Sequence, residues 1–144
     1  MRRYFHFFIM FFAVSLIGAC KIEPVQINLG KDDCSFCKMT ISNARFAAEI
    51  LTPKGKVYKY DDLHCLLSAV EKGDISKDNI HEIYLTDFSG KHELVNAKAA
   101  YFIMSEDLKS PMGGNIAAFS SKDSLLTTLQ KVTGKQVLWE FLYH

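Results

Sequence analysis

Two short apolar stripes of helical period, set in the same place within the same order of elements, constrain this chain more than any other feature. Leu63, Leu66, Leu67 and Val70 recur at the spacing of one helix face. Leu125, Leu126, Leu129 and Val132 form a second such stripe. Two strand-like runs precede each stripe and one follows it. Placing Tyr60 on Phe119 sets Leu66, Leu67 and Val70 against Leu125, Leu126 and Leu129. A single strand-strand-helix-strand unit buries little apolar surface alone. The pattern therefore predicts an α+β fold of two tandem ββαβ units packed together.

The elements follow from local signals. Ala44–Leu51 and the alternating run Lys56–Tyr60 read as a hairpin across Thr52-Pro53-Lys54-Gly55. Asp61 or Asp62 is positioned to cap a helix to about Lys72, with Gly73 just past its end. On that helix His64 falls on the flank of the stripe and Cys65 nearly opposite it. A strand over His81–Thr86 and a turn over Asp87–Gly90 complete the first unit, residues 32–90. The second unit, residues 91–144, reads as a strand over Ala99–Ser105, a loop over Ser110–Gly114 and a strand over Asn115–Phe119. A helix then runs from a Ser120 or Ser121 cap to about Val132, with Gly134 closing it, and a strand covers Gln136–Leu142.

The N-terminal end is of another kind. Arg2 and Arg3 precede an apolar run, Tyr4–Ile17, interrupted only by His6 and Ser15. The run is short for a membrane span and suits the core of a signal peptide, residues 1–19. It ends in Leu16-Ile17-Gly18-Ala19-Cys20, which resembles a bacterial lipobox with Cys20 as the lipidated residue. Residues 20–31 then read as the lipidated cysteine and a tether, with an extended reach of about 35–40 Å. The expected location is the periplasm, anchored by lipid. Lys21 in place of aspartate favours the outer membrane, by resemblance to enteric lipoproteins. Removing residues 1–19 takes away Arg2 and Arg3 and turns a formal charge of +1 into −1. A chain so balanced has no basic patch for nucleic acid.

The chemistry concentrates in Asp33-Cys34-Ser35-Phe36-Cys37-Lys38-Met39. Two thiols and a thioether are soft donors and point to Cu(I). Cys-x-x-Cys is also compatible with a thiol-disulfide centre or with structural zinc. No helix signal follows the motif, and there is no second cysteine pair. Met104 lies in an apolar strand and belongs to the core. Met112, between Pro111 and two glycines, is a candidate thioether ligand. His64 is a candidate nitrogen donor, whereas His81, His92 and His144 read as surface residues. Cys65 reads as a buried, inert thiol. No nucleophile with a base and no acid–base pair is legible, so no catalysis is expected.

The cysteine stretch resembles the D-x-C-P-x-C-G-M signature of the NosL family, the copper-binding lipoproteins associated with nitrous oxide reductase. Ser110–Phe119 (SPMGGNIAAF) resembles that family's second block, and Trp139-Glu140 and the lipobox also fit. Lys38 stands where glycine is usual, and Ser35 where proline is common. The resemblance implies a pair of ββαβ units and a Cu(I) carrier. Its implied partners are apo-nitrous oxide reductase and the accessory membrane transporter. The expected ligands are Cys37 as thiolate, Met39 and Met112 as thioethers, Cys34 as second thiolate or redox partner, and His64.

Overall fold

The computed structural model describes residues 22–144. The signal peptide and the lipidation expected at Cys20 lie outside the described residues. Among the described residues, seven strands and three helices follow one another as β1 (Ala48–Leu51), β2 (Val57–Tyr60), α1 (Leu63–Glu71), β3 (Glu82–Thr86), β4 (Leu94–Asn96), β5 (Tyr101–Met104), β6 (Ile116–Phe119), α2 (Lys122–Leu129), β7 (Lys135–Val137) and α3 (Trp139–Leu142). A 3-10 turn at Lys77–Asn79 joins α1 to β3.

The strands form two antiparallel sheets, ordered β2-β1-β3-β4 and β6-β5-β7. Ignoring β4, the two orders are the same: the first strand of each unit is central and pairs with the second and the last. The fold is α+β, built from two ββαβ units. The register places Tyr60 opposite Ala48 and Phe119 opposite Tyr101, so both aromatics close the second strand of their unit. Both are fully buried.

The hairpin from β1 to β2 forms where the sequence places it. Thr52 N–H donates to Lys56 O at 2.9 Å, the Thr52 hydroxyl accepts from Lys56 N–H, and Gly55 takes φ 77°. Asp62 caps α1, and Gly73, at φ 80°, lies just past its C-cap Lys72. Ser121 caps α2.

Three expectations are corrected. α2 stops at Leu129, and Gly134 is pressed against β5 instead of ending the helix. The run after Gly134 is a strand only to Val137; Trp139–Leu142 turns into a helical turn, with Trp139 stacked between Phe102 and Tyr143 at 5.6 and 5.3 Å. The alternation in that run is too short to hold an aromatic-rich end in a sheet when ring stacking is available. β4, three residues long, carries too few alternations to be read from sequence, and although it falls within residues 91–144 it pairs with β3 in the sheet of the first unit.

One core unites the inner face of the first sheet (Ala48, Ile50, Ile83, Leu85), α1 (Leu63, Leu66, Ala69) and the facing side of the second sheet (Phe102, Ile116, Ala118, Val137). A second core lies under α2, where Leu125 meets Ile103, Ala117 and Phe119. Phe88, in the connection after β3, joins it to the first unit through Phe46 at 5.4 Å and Phe119 at 5.5 Å.

Most of the expected tether lies on the domain. Val25 N–H donates to Glu49 Oε1 at 3.1 Å, Lys59 Nζ donates to Gln26 O at 3.0 Å, and Ile27 is buried. Among the described residues no helix is long and apolar enough to cross a membrane.

Candidate metal centre

Residues 32–41 form a tight hairpin. Asp33 bridges Thr40, Ile41 N–H donates to Asp32 O, and Cys34 N–H donates to Met39 O at 2.8 Å. The tip, Ser35–Lys38, closes through Lys38 N–H to Cys34 O at 3.0 Å and docks on β2 through Ser35 N–H to Lys59 O at 2.7 Å. Lys38 takes φ 64°, the left-handed region. This gives a physical reason for glycine being usual there, and the lysine here accepts that backbone at some cost.

Cys34, at the base of the tip, is fully buried; Cys37, on it, is half-buried. Cys65 reaches the same place from the first turn of α1, where its N–H donates to Asp62 Oδ1 at 3.0 Å. The three sulfurs lie within 4.8 Å of one another. All three are free thiols.

That placement corrects the helix face expected of Cys65, which is not opposite the apolar stripe but on the buried side of α1. The buried residues of α1 are Leu63, Cys65, Leu66 and Ala69, while Leu67 and Val70 are half-buried and His64 is exposed. At about 100° per residue these four fill one arc of roughly 160°. His64 lies opposite its middle. A stripe drawn through the large apolar side chains alone misses Ala69 and Cys65, whose small volume lets the cysteine hairpin sit against the helix. No histidine among the described residues joins the sulfur group.

Burial opposes ionisation of all three thiols, but not equally. At Cys34 it is outweighed by N–H donors from Cys37, Asp61 and Phe36 and by the Cys37 thiol, and the net effect lowers its pKa. Burial raises Cys37, with the negative charge at Cys34 adding to it against the N–H of Met39. Burial and the same charge push Cys65 far up. Of the three thiols, Cys34 is the one whose surroundings favour the charged form, and a soft cation bound there would displace thiol protons.

Met39 lies on the returning strand of the hairpin and is 55% exposed. Met112 is half-buried and flanks the same core cluster as Cys37. Its loop is cross-braced: Ser110 N–H donates to Asn115 Oδ1 at 3.0 Å, and Asn115 N–H donates to Ser110 Oγ at 2.8 Å.

The NosL family model matches residues 24–140. The chain belongs to the NosL family. Both sulfur-bearing hairpin and methionine loop fall inside the matched span. The fold is similar to the crystal structure of the copper chaperone NosL from Shewanella denitrificans, with a TM-score of 0.70 and 21% identity over 83% of this chain and 95% of that one. Among curated proteins none matches the chain. Within this NosL fold, the cysteines of the motif are joined by Cys65 and not by His64. A cysteine in the first turn of a helix, three residues after the capping Asp62, is the available signal for Cys65.

Proposed function

We propose that this protein is a Cu(I) carrier of the periplasm, lipid-anchored through Cys20, that delivers copper to nitrous oxide reductase during its maturation in concert with the accessory membrane transporter. The observation that carries the metal reading is the convergence of Cys34, Cys37 and Cys65, a wholly soft donor set in a pocket with an exposed edge. Family membership and the fold shared with a copper chaperone support it. Cys37, the most accessible thiol, is the entry and transfer ligand, Cys34 and Cys65 hold the ion from behind, and Met39 and Met112 supply thioethers at the rim. Copper is cargo, so a site open on one side suits handover. The anchor keeps the carrier near a membrane client, where effective concentration favours transfer.

Chelator competition for Cu(I) on the chain lacking residues 1–20 tests this. Cys37→Ser and Cys65→Ser should each cost orders of magnitude in affinity, and Met112→Leu about tenfold. Binding should weaken as pH falls, because thiol protons must leave. Wild-type affinity in Cys37→Ser would place the site elsewhere. Tighter Zn(II) than Cu(I) binding, with an unfolded metal-free chain, would establish structural zinc instead. Metal-independent reduction of a disulfide substrate would establish thiol-disulfide exchange.

A further inference from the structure

The two helix caps occupy equivalent places, two residues after Tyr60 and two after Phe119, yet they differ. Ser121 caps α2 with one hydroxyl, accepting from Ser124 N–H at 3.2 Å. Asp62 caps α1 with Oδ1 alone, accepting from Cys65 N–H at 3.0 Å. A hydroxyl suffices for a cap, so the second oxygen of Asp62 is not needed for it. Oδ2 instead accepts from Ser110 Oγ at 2.7 Å and from Met112 N–H at 3.1 Å. Both donors lie in the second unit, about fifty residues away in sequence. Asp62 is buried, so these bonds are sheltered from solvent.

The loop is built for this grip. Ser110 and Asn115 brace each other, and Asn115 Nδ2 donates to Glu106 Oε2 at 3.0 Å. The loop backbone lies directly on α1: a Cβ at Gly114 would stand 2.9 Å from His64 Cβ and 3.5 Å from Asp62 Oδ2. One carboxylate thus fixes the backbone of Cys65 with one oxygen and that of Met112 with the other.

We infer that Asp62 is the positioning residue that couples the thiol pocket to the methionine loop, so that the thioether of Met112 reaches copper only while Asp62 grips the loop. This rests on the reading of Met112 as a ligand. It makes the two halves of the site thermodynamically linked: metal on the thiols steadies the loop, and a steadied loop tightens the metal.

The test is a double-mutant cycle in Cu(I) affinity on the full chain in detergent. Asp62→Ser copies the cap of the second unit and keeps an acceptor for Cys65 N–H while giving up the loop. Ser110→Ala removes part of the same grip from the loop side and leaves the α1 cap intact. Each should weaken Cu(I) about tenfold in the wild-type background and have almost no further effect beside Met112→Leu. Copper K-edge absorption should show one sulfur fewer in each single variant. Additive losses of about a hundredfold in Asp62→Ser/Met112→Leu, with the sulfur number of Asp62→Ser unchanged, would overturn the coupling and leave Met112 a ligand. An unchanged affinity and sulfur number in Met112→Leu would remove Met112 from the site, and the coupling with it.

Discussion

A carboxylate on the central strand shows how far one residue's chemistry departs from its sequence neighbours. Glu49 sits on β1 between Ala48 and Ile50, fully buried, with Oε1 accepting from Val25 N–H and Oε2 without a partner among the described residues. Burial pushes its carboxyl up to about 7, although the Val25 N–H and the charge of Lys59 pull it down. The folded value thus lies above the ordinary 4.5. The linked stability is fully present below the unfolded value and is lost as pH rises through about 7. Relative to Glu49→Gln, the wild type should lose about 3 kcal/mol between those limits. Urea denaturation at pH 4.5, 6 and 8 measures this; parallel curves for the two proteins would refute it.

The elements were legible where period and cap agreed. β1, β2, α1, β3, β5, β6 and α2 all lie within their expected runs, because each carries alternation, a short apolar run bounded by turn residues, or an apolar stripe with a capping side chain. The end of the chain was not legible, because both limits of β7 are set by contacts, ring stacking of Trp139 after it and the close approach of Gly134 before it. A Cβ on Gly134 would stand 2.7 Å from Met104 O and from Ser105 Cβ, and Gly134 must be bare for Lys135 to pair with Met104. Gly134→Ala should therefore cost about 1–3 kcal/mol by displacing β7 from β5. Thermal melting checks the loss, and faster amide exchange at Ile103 and Val137 checks its place; an unchanged melt would show that the sheet edge gives way freely.

At the scale of the molecule the two sheets are stitched by Asp87, which bridges Ala118 in parallel while Phe88 N–H donates to Ala118 O at 2.7 Å. Oδ1 accepts from Ser89 N–H and Oγ, and Oδ2 accepts from Ser120 N–H and hydroxyl. Burial works against the charge, but the Ser120 and Ser89 donors outweigh it and hold the carboxyl below its usual value. Its contribution is present above the unfolded value and lost as pH falls through the lowered folded one. Asp87→Asn should cost about 1–3 kcal/mol at pH 7, with the gap to wild type closing in strong acid. Denaturation at pH 7 and pH 3 reads this. A gap that persists unchanged at low pH would assign the loss to packing.

The two-unit α+β plan, the caps and the soft-donor stretch Cys34–Met39 can be read from the residues alone, because they depend on local period and on donor chemistry within a few residues. That Cys65 belongs with Cys34 and Cys37 while its neighbour His64 faces away follows from long-range packing. Which side of α1 turns inward depends on what packs against it, and the cysteine hairpin, some thirty residues earlier, is part of that packing. The same holds for Asp62. A cap is visible in sequence, but whether its second oxygen meets solvent or the methionine loop is settled by the unit folded against it.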